Sequence, residues 1–134
     1  MPAALSTDQA LDSMPFCRAI GVTFTAVGAD EVRATLPWAE ERTTLGGALH
    51  GGSLMALADG VGAVVAFSNL PEGATGTTTV SSATNFLRAV RDGHVEAVGR
   101  PLHAGRTTIV VETELRDAQG RLAAKVTQTQ AVLR

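Results

Sequence analysis

Residues 50–69 read HGGSLMALADGVGAVVAFSN, and this segment determines how the rest of the chain is arranged. From position 51 to 67, Asp59 is the only charged residue and Ser53 the only other polar one. A helix that is apolar on every side belongs in the core of a protein. The run is short for a membrane span, which needs about 20 residues, and it carries an acid near its centre. We therefore predict a buried core helix over about residues 51–68.

Alternating apolar and polar residues on both sides of this helix predict β-strands. Two short runs precede the helix and form a hairpin around the turn at residues 28–30, and Pro37 ends the second run. Four longer runs follow the helix and are separated by turn sequences that contain glycine. We predict that these last four strands lie in meander order. The predicted strands cover residues 22–27, 31–36, 77–87, 94–102, 107–116 and 122–132.

One helix and six strands must share one core, so we predict a single α+β domain over residues 1–134. The natural arrangement is a six-stranded antiparallel sheet wrapped around one long central helix. A short helix is expected at residues 7–13, and Phe16, Ala19 and Ile20 form an apolar patch that should lie against the core. A curved sheet covers only part of a helix that is apolar all round. The simplest way to bury the remaining apolar surface is contact with a second copy of the chain. We therefore predict a homo-oligomer.

The composition excludes several other classes of protein. The chain has 11 basic and 13 acidic residues, a net charge of −2 and no basic block, so no nucleic-acid partner is expected. Cys17 is the only cysteine, which excludes an internal disulfide and suits a reducing compartment. One cysteine and three scattered histidines do not suggest a structural zinc site, and no metal is predicted. The N-terminus lacks the features of a secretory signal, so we predict a cytoplasmic protein without membrane association.

Two features of the central helix could take part in substrate binding or catalysis. Its start, His50-Gly51-Gly52, leaves backbone N–H groups unpaired where no side chain blocks the approach of a negative oxygen. The same glycines also suit a tight turn that binds nothing. The Asp59 carboxyl group is expected to be buried among apolar side chains, and its raised pKa would suit a base or a nucleophile. A purely structural hydrogen bond to a neighbouring loop is the alternative for Asp59.

The spacing of these features points to more than one subunit. Asp59 lies eight residues beyond Gly51, which corresponds to about 12 Å along a helix. An aspartate side chain cannot reach a carbonyl group held at the start of its own helix across that distance. If both residues act on one substrate, the sequence predicts a site between subunits, with Gly51 from one copy and Asp59 from the other.

Residues 50–59 resemble the HGGxxxxLAD signature of hotdog-fold acyl-CoA thioesterases of the PaaI-like, phenylacetate-pathway type. The stretch TVSSATNFLRA at residues 79–89 is similar to the third strand of that family. The resemblance extends over about residues 15–133. It implies a hotdog fold, hydrolysis of an acyl-CoA to the free acid and CoA without a cofactor, and a dimer or a dimer of dimers.

The resemblance also implies roles for individual residues. The Gly51 N–H would polarise the thioester carbonyl, and Asp59 of the opposing subunit would activate water or attack directly. The Thr79 hydroxyl would help to hold the water. Thr44 stands where the family often has Asn or Gln to orient the carbonyl or the water, and its hydroxyl can still donate a hydrogen bond in that catalytic role. Ala63 stands where some relatives have Thr. Four further residues are expected at the substrate, the two arginines near the CoA phosphates: His50, Gly52, Arg88 and Arg106.

Several alternatives stay open at this level. Arg88 and Arg106 are each also explained as solvated surface charges, and His50 as a residue whose ring bonds to loop backbone. The whole protein is alternatively a non-catalytic acyl-CoA-binding module that retains the acid. Release of free thiol from acyl-CoA distinguishes the module from the enzyme. A hotdog dehydratase is disfavoured, because its catalytic histidine lies in a different loop motif.

Overall fold

The computed structural model describes residues 5–134, which form three α-helices and six β-strands. The helices are α1 (Thr7–Asp12), α2 (Pro15–Ile20) and α3 (Gly51–Phe67). The strands are β1 (Thr23–Val27), β2 (Val32–Pro37), β3 (Gly76–Phe86), β4 (His94–Ala104), β5 (Thr108–Asp117) and β6 (Leu122–Leu133). Two single turns of 3₁₀ helix, Glu40–Arg42 and Leu45–Gly47, lie in the loop before α3. No helix in the described residues is long and apolar enough to cross a membrane.

Helix α3 is the predicted core helix, and side-chain hydrogen bonds occur at both of its ends. It begins after the N-cap residue His50. Near its C-terminus the Asn69 side-chain amide donates to the carbonyl oxygens of Val65 and Ala29, each at 2.8 Å. Leu57 and Val65 are fully buried in the core. Burial of each such side chain stabilises the fold by about 1.5–3 kcal/mol.

The six strands form one antiparallel sheet in the order β1-β2-β4-β5-β6-β3. This sheet and its single long helix confirm the predicted α+β architecture. The predicted meander order of the last four strands is wrong for β3, which pairs with β6 and not with β4. The reason is the path of α3, which carries the chain from β2 near one edge of the sheet to β3 at the other. Strand β4 then returns to pair with β2.

The face of the sheet that meets α3 is built from alternate residues of its strands. On β5, Ile109, Val111 and Leu115 are fully buried, as the alternation predicts. On β4, Gly99 allows the helix to approach closely, because a Cβ at this position would lie 2.6 Å from Cγ1 of Val61. Helix α3 therefore packs directly on the centre of the sheet.

Two adjoining surfaces of the chain are left uncovered. Strand β3 forms one edge of the sheet and is exposed along most of its length, with Val80 62% and Phe86 52% exposed. One stripe of α3, which includes Met55 and Asp59, is also open to solvent. The two surfaces are neighbours, because α3 packs against β3. A long edge strand with exposed apolar side chains is a surface that monomeric proteins normally protect.

The segment after α1 differs from its prediction. Phe16, Ala19 and Ile20 were expected to lie together against the core, and all three belong to α2. Ile20 is partly buried and packs against the core as predicted, but Phe16 is 66% exposed and Ala19 is also exposed. Cys17 is the residue of this helix that is buried. Successive helical residues point in different directions, so Phe16 and Cys17 cannot both face the core.

Candidate active site

The backbone N–H groups at the start of α3 are the first component of the candidate site. The Gly52 N–H donates to Nδ1 of His50 at 2.8 Å. The N–H groups of Ser53 and Leu54 both donate to the carbonyl oxygen of His50, at 2.9 and 3.3 Å. In the part of the chain that the structure describes, Gly51 therefore has the one N–H of this first turn without an acceptor. An unpaired N–H at the positive end of a helix is suited to hold a negative oxygen.

The His50 side chain has a structural bond within the single chain. Its ring accepts from the N–H of Gly52 in the first turn of α3, whereas the structural alternative for this residue predicted a bond to loop backbone. As a consequence, the Gly52 N–H is already paired, whereas the neighbouring Gly51 N–H is not. The two signature glycines thus differ in what their backbone can offer to a substrate.

A cleft of about 470 Å³ opens beside Gly51. The Phe86 ring, at the end of β3, forms one wall, and a Cβ on Gly51 would approach its Cζ to 3.1 Å. Glycine at this position therefore keeps the space between the helix start and the ring open. Arg88 also lines the cleft, so the structure brings one of the two predicted arginines to the helix start.

An adjoining cleft of about 520 Å³ is also lined by Arg88 and contains two further arginines, Arg91 and Arg121. The Arg121 guanidinium is held by the Asp117 carboxylate at 2.8 Å. Neither Arg91 nor Arg121 is among the predicted site residues, because each lies in a turn. A turn sequence does not indicate which other turns share its end of the sheet.

Asp59 lies at the middle of α3, on the stripe that the sheet leaves open, and is exposed in the single chain. The prediction that its own chain buries it is therefore wrong. Helical geometry is the reason, since Met55, Asp59 and Ala63 share one side of the helix while Leu57 and Val61 lie on another. The carboxyl group is still partly desolvated by its apolar surroundings, and this burial raises the pKa of Asp59 above its ordinary value.

Two buried glutamines on β6 connect Asp59 to Thr79, and neither is among the predicted site residues. Gln128 donates from Nε2 to Oδ1 of Asp59 at 3.3 Å. Gln130 donates from Nε2 to Oγ1 of Thr79 at 2.7 Å and to Oε1 of Gln128 at 3.4 Å. The signal was present in the sequence, because both glutamines continue the buried alternation that includes Ala124. A polar side chain at a core position needs a partner and so marks a polar site.

A second hydroxyl on β3 belongs to the same region of the fold. The Thr84 Oγ1 atom is buried and has no hydrogen-bond partner among the described residues. Thr84 pairs with Val126, which is a buried position of β6. Buried hydroxyls are normally paired, so this one is a polar group that a bound molecule or water can use.

Thr44 and Arg106 are not brought to these groups within one chain. Thr44 is exposed in the loop before α3, and no hydrogen bond of its side chain is present among the described residues. Arg106 lies in the turn between β4 and β5, at the opposite end of the sheet from Arg88. Gly51 and Asp59 are separated by about 12 Å of continuous helix. A single subunit therefore contains two separate sets of candidate groups.

Comparison with known proteins identifies the class of this chain. Residues 46–124 match the family model of the thioesterase superfamily. The 1,4-dihydroxy-2-naphthoyl-CoA hydrolase of Escherichia coli (strain K12) is 32% identical over 130 residues, which cover 95% of each chain. The crystal structure of thioesterase HI1161 from Haemophilus influenzae has a TM-score of 0.89 at 26% identity, over 97% of this chain and 92% of that one. A Streptococcus mutans UA159 protein crystallised with acetyl CoA has a TM-score of 0.76 at 26% identity, over 84% and 88%.

The chain belongs to the thioesterase superfamily and has the hotdog fold. Membership identifies it as an enzyme that hydrolyses thioesters. The fold, the family and the reaction type predicted from the helix-start signature are thus confirmed. The acyl-CoA substrate and the roles of individual residues stay predictions.

Proposed function

We propose that the protein hydrolyses an acyl-CoA to the free acid and CoA at sites formed between two copies of the chain. One observation carries the proposal: the unpaired Gly51 N–H and the Asp59 carboxyl group are about 12 Å apart on one continuous helix. A single thioester carbonyl cannot engage both groups of one chain. Two α3 helices that lie side by side would supply one group each.

The Gly51 N–H acts on the carbonyl oxygen of the thioester. This oxygen gains negative charge as the carbonyl carbon is attacked, and the N–H at the positive end of α3 stabilises that charge. Removal of one such donor in an enzyme typically lowers kcat by about 10²–10³-fold. The cleft beside Gly51 supports this assignment, because it gives a carbonyl group access to the backbone.

Asp59 acts by one of two routes. As a general base, its carboxylate takes a proton from water while the water oxygen bonds to the carbonyl carbon. The C–S bond then breaks, and the sulfur of CoA leaves with that proton. As a nucleophile, the carboxylate bonds to the carbonyl carbon and displaces CoA, and water then hydrolyses the resulting anhydride. The raised pKa of Asp59 supports both routes, because it makes the carboxylate more basic than an ordinary aspartate.

The second subunit is proposed to add its own β3 to the exposed edge of the sheet. Strand β3 pairs with β6 on one side, and its other side is free in the described chain. Val80, Phe86 and the adjacent Leu87 supply exposed apolar surface there. Antiparallel pairing of two such edges about a two-fold axis would also cover the open stripe of α3. The dimer of dimers implied by the resemblance would then use a different surface.

CoA is the proposed carrier of the acyl group. Acetyl CoA bound in the Streptococcus mutans relative supports this choice. The cleft that adjoins the helix start contains Arg88 and Arg91 beside one acid, Asp92, while its third arginine, Arg121, is already paired with Asp117. Arg88 and Arg91 therefore offer positive charge to phosphate groups. Antiparallel pairing of two β3 edges would bring the Arg106 end of one sheet towards the Arg88 end of the other.

Release of free thiol from a panel of aryl and aliphatic acyl-CoAs tests the proposal. We expect the wild type to hydrolyse at least one of them, and Asp59→Asn to lose turnover while it still binds a CoA thioether that cannot be hydrolysed. Asp30→Asn, which neutralises an exposed acid in the β1–β2 turn, is the charge-matched control and should keep activity. A wild type that binds acyl-CoA but releases no thiol would support the binding-module alternative and contradict this proposal.

A further inference from the structure

Gln128 and Gln130 form a buried pair of amides on β6 that reaches two of the candidate catalytic groups. We propose that Gln128 is a positioning residue whose amide orients the Asp59 carboxylate and keeps it ionised, and that Gln130 orients the Thr79 hydroxyl. The proposal rests on the catalytic role proposed for Asp59. It assigns to β6 a function in the reaction as well as in the core.

The burial of the two glutamines is the first argument. Each is only 1% exposed, and both lie at positions of β6 where the alternation calls for apolar residues. An amide in such a position destabilises the fold unless its polar atoms are hydrogen bonded. Since an apolar side chain would fill the same space at no such cost, the glutamines point to a requirement for polar groups beside Asp59.

The shape of α3 is the second, independent argument. A Cβ at Gly62 would lie 1.8 Å from Oε1 of Gln128 and 2.7 Å from its Cδ. Glycine within a helix costs about 1 kcal/mol relative to alanine. Gly62 therefore leaves the space that the amide end of Gln128 occupies, three residues along α3 from Asp59.

The direction of the hydrogen bonds is the third argument. An ionised carboxylate can only accept, so Gln128 must present its NH₂ group to Asp59 and turn its oxygen towards Gln130. Gln130 in turn donates to both Gln128 and Thr79. The Thr79 oxygen is thereby used as an acceptor, which leaves its own hydrogen for a water or a substrate oxygen. The charge on Asp59 thus fixes the orientation of both glutamine amides and of the Thr79 hydroxyl in this row of hydrogen bonds.

The charges around Asp59 make the Gln128 amide important. Burial raises the pKa of Asp59, and burial together with the Asp59 charge raises the pKa of the nearby Cys17 thiol on α2. In the described chain no cation from α3, α2 or the sheet forms an ion pair with Asp59. Among the described residues, Gln128 is the one side chain that donates a hydrogen bond to the Asp59 carboxylate, and a donor of this kind favours the ionised form.

Kinetics across pH with an acyl-CoA that the wild type hydrolyses test the proposal. Gln128→Met keeps the length of the side chain but lacks the donor, and Gln128→Glu keeps its size but adds a second carboxylate. We expect both to lower kcat by about 10- to 100-fold, with KM changed by less than about threefold. The acid limb of kcat/KM should move to higher pH in both variants, because the Asp59 carboxylate loses a donor that favours its ionised form. The move should be larger for Gln128→Glu, because two adjacent carboxylates do not both ionise readily.

Thr113→Val is the matched control, because it removes another buried polar group of the sheet that does not bond to Asp59. It should keep the wild-type kcat and acid limb whatever its effect on Tm. Circular dichroism confirms folding, and either Gln128 variant is sufficient for the test. A folded variant with wild-type kcat and an unmoved acid limb would overturn the inference. Full activity in Asp59→Asn would instead overturn the proposed function, so the two failures are distinguishable.

Discussion

The His50 ring and the Gly52 backbone form a 2.8 Å hydrogen bond that leaves Gly51 as the free donor at the start of α3 in the described chain. The two glycines of the signature therefore have different reasons to be glycine. A Cβ on Gly52 would lie 2.9 Å from Nδ1 of His50, and one on Gly51 would lie 3.1 Å from the Phe86 ring. Gly52 makes room for the cap, whereas Gly51 keeps the cleft open.

The His50 cap should contribute measurably to stability. His50→Ala removes the acceptor for the Gly52 N–H, and loss of an N-cap acceptor typically costs about 1 kcal/mol. His50→Asn supplies a new acceptor at the same position and should restore most of the loss. Urea unfolding of the two variants measures the difference. Equal stability of His50→Ala and the wild type would show that the cap bond does not stabilise α3.

Gly51→Pro isolates the contribution of the proposed oxyanion donor. Proline is well tolerated at the first position of a helix, and the extended backbone of His50 (ψ 135°) suits a following proline. Gly51→Ala is the matched control, because it also places a Cβ against Phe86 but keeps the N–H. We expect kcat of Gly51→Pro to be about 10²–10³-fold below that of Gly51→Ala. Equal kcat values would exclude the Gly51 N–H as the donor.

Asp59→Asn should stabilise the fold at neutral pH. Burial raises the folded-state pKa of Asp59 above its unfolded value. Between these two pKa values the folded protein binds a proton more readily than the unfolded one, so stability falls as pH rises through this range. At neutral pH the folded protein bears the full cost of a partly desolvated, ionised carboxylate, and Asn removes this cost, so Tm should rise. At about pH 3, where both states are protonated, the difference should vanish. A lower Tm for Asp59→Asn at pH 7 would contradict this account.

Asp117 provides the opposite case in the same chain. Burial alone would raise its pKa, but hydrogen bonds from Arg121 and Gln119 outweigh this effect and hold the pKa of Asp117 below its ordinary value. The ionised Asp117 carboxylate stabilises the fold fully above its unfolded-state pKa. This stabilisation is lost as pH falls through the folded-state pKa. Asp117→Asn should therefore lower Tm at pH 7 and lose this effect in acid. Thermal melts of Asp59→Asn and Asp117→Asn across pH show whether the two substitutions change Tm in opposite directions at pH 7.

A charge on the β3 edge should disrupt both assembly and activity. Val80→Lys places a cation in the surface through which the second subunit is proposed to bind. Leu102→Lys is the control, because Leu102 is also 62% exposed but lies on β4, away from the free edge. Sedimentation velocity should show monomers for Val80→Lys, together with loss of thiol release, and the wild-type assembly for Leu102→Lys. A fully active Val80→Lys monomer would contradict the two-subunit site.

Local patterns were sufficient to predict most elements of the fold. Period-two alternation identified strands such as β5, and the apolar run after His50 identified α3, because both depend only on neighbouring residues. The edge position of β3 was not predictable in this way. It depends on the edge of the sheet at which the chain leaves α3, and the sequence of a strand does not indicate which other strand it pairs with.

The candidate site was predicted in part for the same reason. The helix start and Asp59 lie in one contiguous signature, so their spacing could be read directly. Gln128 and Gln130 were missed because they are about 70 residues away from Asp59 in sequence. Gln128 reaches Asp59 only because α3 packs on β6, and Gln130 reaches Thr79 only because β3 pairs with β6. Polar residues at core positions of a final strand were the available signal.

Complementation between two inactive variants is the most direct test of the central claim. Gly51→Pro and Asp59→Asn subunits carrying different tags are co-expressed, and the mixed dimer is purified through both tags. If the site joins Gly51 of one subunit to Asp59 of the other, the mixed dimer contains one intact site and should regain about half of the wild-type activity. A mixed dimer no more active than either parent would show that both groups act within one chain.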